Sequence, residues 1–213
     1  MSVPAVRRSD VRTAAVVVAV GAFVYLVGDY FDVFGLVANP FQLDDAAERA
    51  AALQTDHTAW DVSNVLAGVG HVGAAIGLWM LGRALAQSSN ERRSQVLATV
   101  ASWAGLATGV WVVNSYFDVV RPIEDVVAAL TDPTPVLFVT GPIYLLGALV
   151  LFVTFGLALR RLGHMRWLAW TLLTVGPPAA LSVVVIGPTL PTHVMFVLGL
   201  ALAINPYPST GVA

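Results

Sequence analysis

The side chains best suited to chemistry lie in residues 57–83, HTAWDVSNVLAGVGHVGAAIGLWMLGR. His57, Asp61, Asn64, Gly68 and His71 follow one another at steps of four, three, four and three, which places all five on one face of a helix. The intervening Val62, Val65, Leu66, Val69, Val72, Ile76 and Leu78 are apolar. Such a helix is long and apolar enough to cross a bilayer, and its polar stripe is expected to face protein or water rather than lipid. Three kinds of chemistry suit the stripe. A histidine four residues before an aspartate can chelate a divalent ion. A buried histidine near carboxylates can hold or relay a proton or small cation. The same groups can also do no more than hydrogen-bond one helix to the next.

Other polar residues join the stripe once the chain is laid through a membrane. Asp29 and Asp32 fall near the end of a first span, Asn114 and Asp118 near the end of a third, and His193 at the start of a last one, with Tyr30 and Tyr116 at the same level. All belong to one layer on one side of the membrane, and only His71 lies deep, roughly 20 Å below His57 at 1.5 Å per residue. The expected ligand- or ion-binding set is therefore Asp29, Asp61, Asn64, His71 and Asn114, and the expected metal set is His57, Asp61 and His193. In its ingredients the metal set resembles the Asp/His zinc sites of multi-span membrane hydrolases of the ceramidase-like group, although no motif of that group is present. That likeness would imply a membrane-embedded, metal-dependent hydrolase. Asp32, Asp118, Tyr30 and Tyr116 read equally well as interfacial caps and anchors. His71 reads equally well as a structural histidine with one hydrogen bond, and it has no partner histidine at its depth to ligate a haem.

The elements that position these residues follow from composition. The chain of 213 residues is 57% hydrophobic and 11% charged, where soluble domains carry about 25% charge. With so little charge to cover a soluble surface, its long apolar runs are read as membrane spans. A net charge of −2 argues against a nucleic-acid partner. The lack of cysteine excludes disulfides, Cys-ligated metals and thiol nucleophiles. No phosphate-binding, zinc-protease or nucleophile-elbow motif occurs, and no cofactor is indicated. The apolar run near the N-terminus exceeds the ~7–15 residues of a signal peptide core and is read as a retained first span.

The expectation is an all-α, polytopic bundle of six membrane helices forming a single integral membrane domain. The spans fall at about residues 11–35, 57–83, 96–119, 136–159, 167–186 and 194–204. Gly176-Pro177-Pro178 should kink or break the fifth, PTLPTH should be a turn before the sixth, and AAERAAALQ (residues 46–54) could form a short surface helix. Cytoplasmic N- and C-termini place nine arginines inside (Arg7, Arg8, Arg12, Arg83, Arg92, Arg93, Arg160, Arg161 and Arg166) against Arg49 and Arg121 outside. His164, among the inner arginines, is read as solvated. Trp60 and Trp167 are read as interfacial anchors, and Trp103 and Trp111 as packed. DYFDVF at residues 29–34 recurs as SYFDVV at 115–120, each before an acidic loop, which suggests two tandem helical hairpins (about 11–86 and 96–162) with a third at 167–205. The plan is similar to that of small bacterial integral-membrane proteins in which His and Trp open a span after an acidic outer loop, here DHTAWDVSN, and it points to a bacterial plasma membrane. The expected function is a non-enzymatic membrane protein that binds or passes a small ligand or ion near its outer face. The alternatives are the metal-dependent hydrolase and a structural or accessory subunit. The expected partners are the lipid bilayer and a membrane protein or second copy of the chain.

Overall fold

The computed structural model describes residues 8–33, 51, 57–120 and 135–206, and these are all-helical, with no strand among them. The first helix, α1 (Arg8–Val33), is rich in valine, a residue with poor helix propensity in water. In hydrocarbon the helix satisfies every backbone group internally, and that requirement outweighs propensity. Next come α2 (His57–Ser88), α3 (Arg92–Thr108), a 3₁₀ turn (Gly109–Trp111), α4 (Val112–Val120) and α5 (Pro135–Arg161). The short helices α6 (Arg166–Thr174), α7 (Gly176–Leu181) and α8 (Val183–Ile186) lead to α9 (Thr189–Ile204).

Four segments are long and apolar enough to cross a membrane: Ser9–Asp29, Trp60–Ser88, Arg92–Val120 and Pro135–Arg161. The third carries the 3₁₀ turn. There the Thr108 hydroxyl donates to the Gly105 carbonyl at 2.7 Å, a back-bond that bends helices. The expected fifth span is broken into α6–α8 at Gly176-Pro177-Pro178, and α8 ends at Gly187 in a conformation (φ 70°, ψ −165°) open essentially only to glycine. The last helix begins earlier than expected. PTLPTH is not a turn: Thr189-Leu190-Pro191 forms the first turn of α9, where proline's missing N–H leaves no bond unmade. His193 therefore sits one turn inside the helix. The 46–54 segment lies outside the described residues apart from the exposed, helical Ala51.

Packing closes a ring. α1 lies between α2 and α9, α2 continues to α3 and α4, those pack on α5, and α5 returns through α6 and α7 to α9. One apolar core fills the centre, with Tyr144, Leu151, Phe152 and Phe155 of α5, Leu78 and Leu81 of α2, and Met195 of α9 all fully buried. Of the polar stripe of α2, Gly68 and His71 are buried and Asp61 and Asn64 half-buried, while the exposed face of that helix is Val62, Val65, Val69, Val72 and Ile76.

Glycines set the α1–α2 spacing. A Cβ on Gly70 would meet the backbone of Gly21 and Tyr25, one on Gly21 the backbone of Gly73 and Ala74, and one on Gly77 the Val18 amide at 2.5 Å. Gly199 brings α9 onto α1 in the same way, 2.6 Å from the Ala19 amide. Small residues drive membrane helix association by this kind of close approach. Gly70→Ala and Gly77→Ala are each expected to lower the detergent melting temperature, by the equivalent of about 1–3 kcal/mol of overpacking. Intrinsic propensity would favour alanine by about 1 kcal/mol, so the sign of the shift tests the contact.

Candidate functional site

Asp29, near the end of α1, is half-buried and bonded on both carboxylate oxygens. The phenol of Tyr25, one turn earlier, donates to Oδ1 at 3.1 Å, and the Thr189 hydroxyl at the start of α9 donates to Oδ2 at 2.9 Å. His193, one turn into α9, lies within electrostatic reach of the carboxylate, and its Nδ1 donates to the Thr189 carbonyl at 2.8 Å. The carboxylate thus ties α1 to α9 through hydroxyls, with an imidazole beside it.

Tyr25 also reaches inward. Its ring meets the edge of His71 with centroids 4.4 Å apart, and on the other side His71 meets Tyr144 at 5.5 Å. Trp111 packs on Tyr144 in turn, at 5.3 Å. His71 is buried, and its Nδ1–H donates to the Ala67 carbonyl one turn back at 3.3 Å. In the neutral ring this leaves Nε2 as an acceptor, and that atom is buried with no hydrogen-bond partner. The Tyr144 hydroxyl is also buried without a made hydrogen bond, with Thr192 beside it. Carboxylate, phenol, imidazole and second phenol therefore run in contact from the end of α1 to the bundle centre. Beyond His71 the neighbouring α2 and α5 positions are apolar: Leu78, Leu81 and Leu85 against Leu151, Phe152 and Phe155. Among the described residues of α2 and α5, the array ends against these apolar side chains.

The other expected residues lie elsewhere in the bundle. The Asn64 amide donates to the Trp60 carbonyl of its own helix at 3.1 Å, and Asp61 is half-buried nearby. Asn114 is buried on α4 against α5, where its amide donates to the Thr140 hydroxyl at 2.7 Å; that hydroxyl in turn donates to the Val136 carbonyl at 2.9 Å. Gly68 meets Ser115 of α4. His57 opens α2, but its side chain, like those of Tyr30 and Asp32, lies outside the described residues. Among the described residues no three His, Asp or Glu side chains converge as metal ligands. Asp61 and His193 thus have no third described donor to form a metal set.

Three side chains differ from the sequence reading. Trp60 is buried, not interfacial, because its indole N–H reaches the Asp118 carbonyl across the α2–α4 contact at 3.4 Å. Trp103 faces outward at 61% exposure instead of packing. His164 is not merely solvated: its Nε2 donates to the Asn205 carbonyl at 3.0 Å and pins the α5–α6 turn to the end of α9. Sequence reasoning missed Tyr25, Tyr144, Thr140 and Thr189. Tyr25 had a signal, four residues before Asp29 on the same helix face. Tyr144 had none within its apolar run.

No known protein family, curated protein or solved structure matches the chain. What stands is the class: an all-helical protein with four helices suited to crossing a membrane.

Thr140→Val is expected to destabilise the protein by about 1–3 kcal/mol, because it leaves the Asn114 amide buried with its partner gone. Ser63→Ala, which leaves the Gly28 carbonyl accepting only within its own helix, should cost nearer 1 kcal/mol. Thermal unfolding in detergent reads both.

Proposed function

We propose that the chain is a six-crossing protein of the cell membrane, with both termini cytoplasmic, that binds a small cation in the outer half of the bundle between Asp29 and His71. The cation class is a proton or a small protonated amine. The observation that carries the reading is the His71 Nε2 lone pair, buried with no partner and one tyrosine ring away from a carboxylate. A carboxylate and an imidazole nitrogen both accept, so the complementary ligand donates, and a positive charge would offset that of Asp29. The apolar residues beyond His71 favour binding over passage. Six crossings are supported by α6–α8 acting as one interrupted crossing and by the 16 residues of α9, which reach about 24 Å. The excess of arginine on one side supports the orientation.

A second reading has its own support. Ser63, Trp60, Asn114 and Thr189 all make hydrogen bonds between helices, which is what a structural or accessory subunit would require of them. In that reading the chain associates with a membrane protein or a second copy of itself. The embedded hydrolase has no described three-ligand set on which to rest.

Melting of the full chain in detergent with ammonium, methylammonium or sodium chloride at matched ionic strength separates these readings. A specific cation at ten times its Kd adds about 1.4 kcal/mol. Stabilisation by an amine but not by sodium, abolished in both Asp29→Asn and His71→Phe, is expected. The same small shift for all three salts would leave the structural reading. Proton flux in proteoliposomes tests the apolar end. Flux at the protein-free baseline is expected, and flux that disappears in His71→Leu would instead mean passage.

A further inference from the structure

At the opposite end of the bundle from Asp29, α3 begins beside the end of α5. A surface crevice there of about 360 Å³ is lined by Arg92, Arg93, Val96, Leu97 and Arg161. Arg92 and Arg93 are exposed and make no ion pair among the described residues. Arg161 is bonded to Glu91 at 2.9 Å, with both side chains substantially exposed. Among the described residues Glu91 is the acid bonded at the crevice. It is held below the usual carboxylate range, first by the Ser94 hydroxyl and then by Arg161 and Arg93, so it is charged at neutral pH. Three guanidiniums against one carboxylate leave a surplus of two positive charges.

Val96 and Leu97 give the crevice an apolar wall beside the arginines, and the apolar surface continues along α3. Val96, Val100 and Trp103 follow the arginines at steps of four and three and are 54%, 40% and 61% exposed. Charge at a membrane helix end, followed by an exposed apolar strip running into the bilayer, is complementary to an anionic head joined to a hydrocarbon chain. Arginine suits this role because its planar fork binds phosphate oxygens in pairs.

We propose that this crevice is a binding site for one anionic phospholipid, whose phosphate sits between Arg92, Arg93 and Arg161 and whose acyl chain lies along Val96, Val100 and Trp103. The inference rests on the membrane reading but not on the Asp29–His71 site at the other end. The phosphate and Glu91 compete for Arg161, so Arg92 and Arg93 carry most of the discrimination between charged and zwitterionic lipid.

The test uses the full chain in a mild non-ionic detergent, titrated with phosphatidylglycerol, phosphatidylcholine or inorganic phosphate, with bound lipid counted by native mass spectrometry. One phosphatidylglycerol is expected to bind in preference to phosphatidylcholine. The double substitution Arg92→Gln with Arg93→Gln is expected to weaken it roughly thirtyfold, at about fivefold per arginine. Arg12→Gln, which removes an exposed charge from α1, should leave binding unchanged. Equal retention of the two lipids, or equal losses in the double variant and Arg12→Gln, would overturn the site in favour of diffuse attraction. Saturable binding of inorganic phosphate as tight as that of the lipid would overturn the acyl-chain part and leave a soluble-anion site. All substituted residues are exposed, and unchanged melting temperatures would show that the variants remain folded.

Discussion

The backbone-to-backbone approach of α1 and α2 is the contact on which the rest of the bundle depends. For helices suited to crossing a membrane, apolar burial gives little drive to associate in lipid, and close packing must supply it. Gly21 and Gly28 on one helix and Gly70, Gly73 and Gly77 on the other leave room for that packing. The same approach lets the Ser63 hydroxyl reach the Gly28 carbonyl at 2.8 Å and sets the Tyr25 ring against His71. A wider spacing would separate the imidazole from the tyrosine that links it to Asp29. Packing geometry and the polar array are thus one feature seen at two scales.

The polar groups divide by what they do for the fold. The Asn114–Thr140 and Trp60–Asp118 bonds are satisfied bridges between helices. Asp29 is also satisfied, but by hydroxyls that can reorient between donating and accepting. His71 Nε2 and the Tyr144 hydroxyl are buried and unmet. An unmet buried polar atom is costly, and the ring contacts from Tyr25 through His71 to Tyr144 hold these two in place regardless. Trp79 Nε1 is buried in the same condition elsewhere on α2; what sets His71 apart is its place at the inner end of a chain of polar groups.

Much of the architecture was legible in the sequence because hydrophobic length and periodicity carry it. The four long apolar helices, out of six expected spans, the break at Gly176-Pro177-Pro178 and the burial of Gly68 and His71 on the α2 stripe follow from length and spacing. The failures share a cause. Trp60 and Trp103 carry the same side chain, and only the position of α4 decides that one is covered and the other bare. PTLPTH has the composition of a turn, yet proline in a first helical turn costs nothing, so local chemistry fitted both outcomes. At the candidate site the pairing of Asp29 with Thr189 spans 160 residues, and no local pattern encodes it. Tyr144 sits in an apolar stretch whose periodicity is masked because leucine, valine and glycine surround it on every side.

The interruption between α6 and α8 has a mechanical side. Pro177 and Pro178 bring no amide hydrogen, so the carbonyls of Leu173 and Thr174 receive no donor four residues on. Missing rungs make a helix softer to bending there than anywhere along α2, which runs 32 residues without a proline. In a bilayer that thinned or thickened, the strain would gather at this pivot, while the glycine-locked pair of α1 and α2 moved as a single stiff stave. The bundle is built with one rigid wall and one compliant wall.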